Sequence, residues 1–438
     1  MKSKADTSTG FIELLRENCD FRNLMMSRFI SQAGDWFNFV ALSTLLLNLT
    51  GSGEAVALVL IIKLLPTFFF GPLAGVVADR FNRKTIMMVT DVLRGILGFG
   101  FLFIQRADQV WIAYALSAVQ IILSTFFEPA ESAAVPNIVR REDLVSANAL
   151  SSATWSITLA LGAAAGGIVT DLFGRNTAFI IDALSFFLSA FFVLITRVPP
   201  TPKKANLESK LSFAEATGIN DLVEGARYLK ANPRVVSVMW IKSGWGVAGG
   251  GVLFLLAIFG KEVFPIGADG STSIGILYGC RGFGALIGPM IARAITSASI
   301  PTMRRSITVA FFISTFFYLL FATSPFFALT CLCVIGGHAG GSIQWVFSTT
   351  LLQFSTDNRF LGRVFALEQS LMTLTLSTST YLTAKGMDSF GYHPKPLASM
   401  LGFAFIIPGI IWWVIQRRLD RADAHKLEPS QPVIETGD

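Results

Sequence analysis

Residues 55–84 read AVALVLIIKLLPTFFFGPLAGVVADRFNRK, an apolar stretch that ends in a short basic loop. Its apolar part, 55–78, contains one charged residue, Lys63, and exceeds the roughly 20 residues that an α-helix needs to cross a membrane. Similar stretches fill the 438-residue chain, which is 52% hydrophobic and 15% charged. Soluble domains carry about 25% charged residues. The composition therefore excludes a water-soluble enzyme and predicts an all-α polytopic membrane protein.

Twelve such segments are separated by charged residues or by Gly and Pro. The fourth and the last are short, and an even number of spans places both termini on one side of the membrane. The predicted spans are 24–47, 55–78, 85–104, 110–127, 149–170, 177–196, 236–259, 273–294, 306–323, 326–347, 364–386 and 397–415.

Basic residues are distributed unequally between the two sides of these spans. The segments on the side of the termini hold 25 Lys and Arg residues, and the opposite loops hold 5. Because cytoplasmic loops carry the excess of Lys and Arg, we expect both termini to be cytoplasmic. The same distribution accounts for the formal net charge of +6 without a nucleic-acid partner.

A polar segment in the middle of the chain divides the spans into six plus six. We expect a cytoplasmic N-terminal segment 1–23, a six-helix half 24–197, a cytoplasmic linker 198–234, a second half 235–416 and a tail 417–438. Within the linker, apolar residues recur at three- and four-residue spacing and predict an amphipathic helix on the membrane surface. They are Ile219, Leu222, Val223, Ala226 and Leu229.

The two halves also resemble each other in sequence. Gly71-Pro-Leu-Ala-Gly75 corresponds to Gly284-Ala-Leu-Ile-Gly288 at an offset of 213 residues. Two related six-helix halves are the layout of a rocking transporter, with the substrate site between the halves.

The segment Gly75-Val-Val-Ala-Asp79-Arg80-Phe-Asn82-Arg83-Lys84 resembles the loop signature Gly-x-Leu-x-Asp-Arg-x-Gly-Arg-Lys of the major facilitator superfamily. Asn82 replaces a Gly, and we expect it to adopt the left-handed backbone angles that both residues accept. The resemblance implies the major facilitator fold, with twelve transmembrane helices in two halves.

The same resemblance implies a gating latch in this loop. We expect its basic residues to pair with carboxylates at the inner end of the fourth helix, and Asp79 to lie at a helix N-terminus, where negative charge is favoured. The alternative is that the cluster only anchors the loop in the cytoplasm. The latch candidates are Gly75, Asp79, Arg80, Arg83, Lys84, Glu128 and Glu131.

Three glycines of the fifth span, Gly162, Gly166 and Gly167, resemble the end of a signature found in antiporter branches of the superfamily. Ala163 stands where that signature has Pro, which weakens the inference of antiport. Small residues that permit close helix packing are the alternative explanation.

Four further segments resemble one branch of the superfamily, which contains enterobactin exporters, macrolide-efflux proteins and lysophospholipid transporters. These segments are 31–36, 127–136, 224–229 and 362–367. The resemblance implies export of an amphipathic small molecule from a bacterial inner membrane, by a protein that usually works as a monomer.

Ionisable residues inside the spans are functional candidates because a charge at the bilayer centre costs at least about 2.5 kcal/mol. Asp35 lies near the middle of the first span and is our candidate proton carrier, with a static ion pair as the alternative. His338 is a second candidate for proton coupling, although a neutral, hydrogen-bonded packing role is also open. Asp182 lies near the outer end of its span, where we expect it to reach interfacial water.

Polar and aromatic residues on helices one, four, seven and ten, which line the central cavity in this fold, complete the candidate substrate site. We expect Lys242 to neutralise Asp35 or to bind an anionic group of the substrate. Lys63, Arg94 and Arg281 have no assigned role, although Arg94 can pair with Asp91 on its own helix. The substrate-binding candidates are Asp35, Asn38, Gln120, Lys242, Trp245, His338 and Gln344.

The sequence lacks a phosphate-binding loop, metal-ligand spacing and a nucleophile motif. We therefore expect no enzyme activity and no cofactor. The function expected is export by alternating access with proton antiport, and the partners are the substrate, protons and membrane lipid. A lysophospholipid flippase of the same fold, and a membrane scaffold or sensor that transports nothing, are the alternatives.

Overall fold

The computed structural model describes residues 11–140, 143–199, 219–296, 299–357 and 360–427, and this part of the chain contains helices and no strand. Much of the predicted linker, the chain start and the end of the tail lie outside these ranges. Short 3₁₀ turns lie at Phe101–Phe103, Ala107–Gln109 and Ala268–Gly270, and a π turn lies at Phe259–Val263. The helices are α1 (Phe11–Glu17), α2 (Cys19–Thr50), α3 (Gly53–Ile62), α4 (Leu65–Arg80), α5 (Arg83–Gly100), α6 (Val110–Ile138), α7 (Leu144–Phe173), α8 (Arg175–Ile195), α9 (Ile219–Ala231), α10 (Pro233–Ile258), α11 (Ser271–Ile295), α12 (Ile300–Thr323), α13 (Phe327–Ser355), α14 (Leu361–Asp388), α15 (Pro394–Ala404) and α16 (Ile406–Leu427).

Ten helical stretches in the described ranges are long and apolar enough to cross a membrane. The other two predicted spans correspond to α2 and α14, which are 32 and 28 residues long. At 1.5 Å per residue both exceed the roughly 30 Å of a bilayer core. Their lower hydropathy follows from polar side chains such as Asp35 and Glu368, which they direct into the interior of the bundle.

The second and twelfth predicted spans are each broken into two helices. α3 ends at Ile62 and α4 begins at Leu65, so that Lys63 lies at the break and Pro66 follows it. α15 and α16 are separated at Phe405, shortly before Pro408. Proline lacks the amide hydrogen that a helix needs and clashes with the preceding turn, which accounts for both breaks.

The helices form two sets, which we call the first helix set (α2–α8) and the second helix set (α10–α16). We call the end of the bundle that holds the start of α2 and the end of α16 the terminal end, and the opposite end the far end. α7 packs closely on α11 across the two sets, because a Cβ on Gly167 would lie only 2.9 Å from the Cα of Gly275. A Cβ on Gly162 or Gly166 would lie 3.2 Å from Ala33 Cα or 2.9 Å from Phe37 Cα, so these glycines bring α7 against α2.

Asp388, the last residue of α14, joins the two sets at the far end. Its Oδ2 atom accepts hydrogen bonds from Ser52 Oγ at 2.5 Å and from the Glu54 amide at 2.9 Å. Its Oδ1 atom accepts from the Gly53 amide at 3.2 Å. Gly51 makes this turn possible, since it ends α2 with a φ of 64°, where glycine has no steric cost.

Three further hydrogen bonds join the sets at the far end. Asp171, near the end of α7, accepts hydrogen bonds from the Ala268 amide at 2.5 Å and from Thr272 Oγ1 at 2.8 Å. Lys261 donates to the side chain of Asn48. Together with the Asp388 contacts they form what we call the far-end clasp.

The linker helix α9 packs against α14. Glu224 forms an ion pair with Arg363 at 2.5 Å, and the ring of Tyr228 stacks on Phe360 at 4.4 Å between centroids. Leu229 is buried, whereas Val223 is 43% exposed. The predicted helix is therefore present, but it is attached to the second helix set by polar and aromatic contacts.

Candidate functional site

A cavity of about 310 Å³ lies between the two helix sets. Tyr278 closes its far side by packing on Phe39 and Trp36, at 4.9 and 5.9 Å between ring centroids. The cavity is lined by aromatic side chains and by seven charged ones. The charged residues are Arg28, Asp35, Lys63, Arg94, Glu128, Glu131 and Arg281.

Asp35 forms the centre of the charged wall on the first helix set. Its two carboxylate oxygens accept hydrogen bonds from Arg94 Nη2 at 2.9 and 2.8 Å. Arg94 also faces Asp91, one turn earlier on α5, at 3.7 Å. The Asp35 side chain is 34% exposed to the cavity, while those of Arg94 and Asp91 are 4% and 0% exposed. One arginine is thus shared between an accessible carboxylate and a buried one.

A second ion pair lies nearer the terminal end, where Arg28 Nη1 contacts Glu131 Oε2 at 2.8 Å. Glu128, one turn before Glu131 on α6, also lines the cavity and is exposed. In the described part of the chain, Glu128 has no ion pair or hydrogen bond. Sequence reasoning missed Arg28, although a charged residue inside the predicted span 24–47 was a signal for it.

Two cations of the cavity wall have no carboxylate within ion-pair distance among the described residues. Lys63 lies at the break between α3 and α4, and its Nζ is 4.7 Å from the ring centroid of Phe39. Arg281, on α11 of the second set, donates from Nε to His338 Nε2 at 2.9 Å and lies 5.8 Å from the ring of Trp155.

The contacts of His338 fix its tautomer. Because the Arg281 guanidinium can only donate, His338 Nε2 is an acceptor and carries no proton. The proton is then on Nδ1, which donates to the Tyr318 hydroxyl at 2.6 Å. His338 is 6% exposed and lies behind Arg281 rather than in the cavity wall. A proton added to Nε2 would place a second positive charge against the guanidinium.

Lys242 is paired with Glu368 at 2.9 Å, and both side chains are buried. The prediction that Lys242 neutralises Asp35 is wrong, because Arg94 does so. Lys242 lies on α10 and Glu368 on the neighbouring α14, within one helix set. Sequence alone does not tell which helices are neighbours.

Asp182 is fully buried and accepts a hydrogen bond from Asn38 Nδ2 at 2.9 Å. The prediction that Asp182 reaches interfacial water is wrong, since α8 packs along α2 and covers it. Asn38 therefore holds Asp182 and does not line the cavity, although it lies only three residues beyond Asp35.

The remaining substrate-binding candidates lie one layer behind the cavity wall. Gln120 donates to the Arg94 carbonyl at 3.2 Å and so supports the helix that carries the arginine. Trp245 packs edge-to-face on His338 at 5.6 Å. In the described part of the chain, Trp245 Nε1 and both amide atoms of Gln344 are buried without a hydrogen-bond partner. Asp35 lines the cavity, and the other six of the seven substrate-binding candidates do not.

The basic loop between α4 and α5 does not make the predicted pairs with Glu128 and Glu131. Arg83 donates to the carbonyl of Ala133 at 2.7 Å, and Lys84 donates to the carbonyls of Leu194 and Thr196 at 2.6 and 2.9 Å. Arg80 is exposed, and the side chain of Asp79 lies outside the described set. The cations cover the terminal carbonyls of α6 and α8, where positive charge is favoured.

Asn82 does not adopt left-handed angles, because its φ is −64° and its ψ is 114°. Its side chain caps α5 by accepting a hydrogen bond from the Thr85 amide at 3.2 Å. Asn is among the preferred N-cap residues. Capping of α5 therefore explains Asn82 better than the expected left-handed backbone does. No Cβ contact forms at Gly75, which has open space around it.

A second cavity, of about 510 Å³, lies between the two sets nearer the terminal end. It is bounded by α4, α9, α10 and α14, and its lining is almost entirely apolar. Phe68, Phe69, Met239, Leu367 and Leu371 are among its lining residues. We call it the lateral cavity, because it lies at the seam where α4 meets α14.

A sequence profile of the family described as transmembrane secretion effector, MFS_3, matches residues 12–434. The chain belongs to this major facilitator family. Macrolide efflux protein A of Streptococcus pyogenes is 24% identical to the transporter over 352 residues, or 78% of this chain and 83% of that protein. Enterobactin exporter EntS of Shigella boydii is 24% identical over 425 residues, or 94% of this chain and 95% of that protein.

Solved structures agree with this assignment at the level of the fold. A crystal structure of the nucleoside transporter NupG superposes with a TM-score of 0.72 at 12% sequence identity, covering 90% of this chain and 99% of that one. The transporter is therefore an integral membrane protein that moves small molecules, and its family and relatives are transporters rather than enzymes.

Proposed function

We propose that this transporter exports an amphipathic small molecule from the cytoplasm by alternating access, in exchange for protons. We place it in a bacterial inner membrane as a monomer with both termini cytoplasmic. The two relatives named above are an efflux protein and an exporter, and the unequal distribution of Lys and Arg supports the orientation.

The proposal includes twelve transmembrane helices in a six-plus-six arrangement. Ten stretches meet the length and hydropathy that a span requires. α2 and α14 supply the other two, because they are long enough and pack lengthwise within the bundle against α8 and α10. Their polar residues face partners inside the protein, which is where polar groups of membrane helices are tolerated.

The observation that carries the proposal is a cavity between the two sets that is closed at the far end by the far-end clasp. With cytoplasmic termini, this arrangement is an inward-facing state, from which an exporter loads its substrate. Opening the far end requires the contacts of Asp388 and Asp171 to break. These contacts are short and local, as expected for a gate that opens in each cycle.

Asp35 supports proton coupling because it is the accessible carboxylate in a shared ion pair. When Asp35 is ionised, Arg94 contacts two carboxylates. A proton on Asp35 removes one of them and leaves Arg94 with Asp91. The protonated and ionised states therefore favour different contacts of α2 with α5, which is what a coupling residue must provide.

The cavity wall supports an amphipathic substrate rather than a free sugar. Trp36, Phe39, Phe127, Trp155 and Tyr278 contribute apolar or aromatic surface to it, and a few fixed charges stand between them. Sites with this composition bind organic molecules with an apolar body and a polar group.

Transport is tested in proteoliposomes that hold the purified protein and carry an imposed pH gradient. Three fluorescent probes share one aromatic body: dansyl-taurine is anionic, dansyl-ethanolamine is neutral and dansyl-ethylenediamine is cationic. We expect at least one probe to accumulate against its gradient only when the protein and the pH gradient are both present. The proposal of proton-driven export fails if none of the three probes moves faster than in liposomes without protein.

A lysophospholipid flippase is the second candidate, and the lateral cavity favours it. Its apolar lining lies between the two sets, where a single acyl chain can enter from the bilayer. Movement of a lysophospholipid without proton flux in the same proteoliposomes would support this candidate over export by antiport. Family membership argues against the scaffold alternative, since the chain belongs to a family of transporters.

A further inference from the structure

We propose that the substrate carries an anionic group and that Lys63 and Arg281 bind this group together, one from each helix set. The inference rests on the proposed function and specifies the charge of the transported molecule. It starts from these two cations of the cavity wall, which have no carboxylate within ion-pair distance in the described ranges.

Lys63 and Arg281 lie at the same depth in the bundle. Lys63 is ten residues from Gly53, where α3 begins at the far end, and Arg281 is ten residues from Ser271, where α11 begins. At 1.5 Å per residue each lies about 15 Å from the far end. Trp36 connects them, since its ring is 5.9 Å from Lys63 Nζ and 5.9 Å from the ring of Tyr278, one turn before Arg281.

The other cations near the cavity are already neutralised. Arg94 holds Asp35 and Asp91, and Arg28 holds Glu131. Lys242, which the sequence suggested for an anion, is paired with Glu368 behind the wall. An anionic group entering the cavity therefore finds unshared donors at Lys63 and at the Arg281 guanidinium.

The neighbours of Arg281 preserve its capacity to bind an anion. His338 accepts one hydrogen bond from Arg281 Nε and is itself held by Tyr318. The guanidinium is oriented by a neutral partner, and its terminal nitrogens remain available for a carboxylate, sulfonate or phosphate. Arginine suits such groups because it presents several donors in one plane.

The position of Glu128 sets the orientation of the bound molecule in the cavity. It is eighteen residues from the start of α6 at the far end, or about 27 Å, and so lies nearer the terminal end than the two cations. Because Glu128 repels an anion, the charged group binds deep in the cavity. The apolar body then lies toward Trp155 and Phe127, which also line the cavity.

The test compares binding of the three dansyl probes to the purified full-length protein in neutral phosphatidylcholine nanodiscs, read by probe fluorescence. We expect dansyl-taurine to bind about tenfold or more tightly than dansyl-ethanolamine, since a charge-assisted hydrogen bond carries this much discrimination. Lys63→Gln and Arg281→Gln should each remove most of the preference, and Arg281→Lys should retain part of it. Arg106→Gln, in an exposed loop, is the matched control and should leave it unchanged.

Equal binding of the anionic and neutral probes by the wild type would overturn the inference, and this comparison needs no variant to fold. The inference would also be overturned if Lys63→Gln and Arg281→Gln both kept the preference for the anionic probe over the neutral one. Displacement of bound dansyl-taurine by lysophosphatidate would assign the anionic group to a lipid, and dansyl-taurine that stays bound in its presence would assign the group to a free organic anion. Transport of a neutral probe without charge preference would contradict the inference while leaving the proposed function intact.

Discussion

The two helix sets build their walls of the central cavity in different ways. The wall of the first set contains ion pairs that share charges, with Arg94 between Asp35 and Asp91, and Arg28 against Glu131. The wall of the second set contributes one cation, Arg281, whose partner is a neutral histidine. Glu368, a buried carboxylate of the second set, is paired with Lys242 behind the wall.

This difference separates two tasks that a coupled transporter must perform. In the proposed antiport, a carboxylate that shares an arginine changes its contacts when it gains a proton, and we therefore assign proton coupling to the first set. In the proposed anion site, a cation with a neutral partner gains a contact when an anion binds, and we therefore assign part of substrate recognition to the second set.

The largest expected effect comes from removing the shared arginine. Arg94→Gln leaves the buried Asp91 without its cation, and breaking a buried pair in this way costs about 3–5 kcal/mol of folding free energy. Arg281→Gln should cost less than about 1.5 kcal/mol, because its hydrogen-bond partner is neutral. Thermal unfolding in one detergent measures the loss of stability in both variants, and Arg106→Gln is the exposed control. Equal losses for Arg94→Gln and Arg281→Gln would contradict the comparison.

The far-end clasp offers the next largest effect. Asp388→Ala removes the acceptor of three hydrogen bonds between the sets, at about 1.5–3 kcal/mol for a charged acceptor. We expect the far end to open at least about tenfold more often. The readout is alkylation of Val56→Cys, a buried position on α3, in a chain whose four native cysteines are serines.

Asp108→Ala is the matched control for this experiment, because Asp108 pairs with Arg106 inside one exposed loop and joins no helix sets. An alkylation rate that Asp388→Ala leaves unchanged would show that the clasp does not hold the far end closed.

A smaller effect is expected where α7 and α11 cross. Gly167→Ala places a Cβ 2.9 Å from Gly275 Cα, and forcing these helices apart costs about 1–3 kcal/mol. Gly71→Ala is the control, since nothing lies within 4 Å of its Cβ position and alanine favours the helix. The midpoint temperature of thermal unfolding should fall for Gly167→Ala and should stay equal or rise for Gly71→Ala. The opposite order would contradict the close crossing.

The smallest effect compares the loops that are related by the internal repeat. Asn82 caps α5 in the first set, and Ser299 caps α12 in the second by accepting from the Thr302 amide at 3.4 Å. Asn82→Ala should cost about 1 kcal/mol, and Asn82→Ser less than about 0.5 kcal/mol, because serine also caps. If Asn82→Ser destabilises the protein as much as Asn82→Ala, capping is not the role of this residue.

Much of the fold follows from the sequence, because membrane helices must satisfy their backbone internally and stay apolar over a fixed length. At least one described helix overlaps each predicted span, and α9 lies where the apolar spacing indicates it. The break at Lys63 was not predicted, although Pro66 was a signal for it. A hydropathy count alone does not include α2 and α14, since their polar residues face the interior.

The partners of charged residues were harder to predict than the helices. Helical spacing tells which residues share a face of one helix, but not which helix lies opposite. Arg94, rather than Lys242, therefore neutralises Asp35, and Asp182 is covered by α2 instead of water. The role of the basic loop as a cover for helix ends also depends on where α6 and α8 terminate in space.

The most direct test of the account measures internal pH in proteoliposomes when a transported probe is added. The wild type is compared with Asp35→Asn, which cannot ionise, and with Asp35→Glu, which can. We predict probe-dependent proton flux in the wild type and in Asp35→Glu, and none in Asp35→Asn, while probe binding persists in all three. Undiminished proton flux in Asp35→Asn would contradict the account and would move coupling to Glu128 or His338.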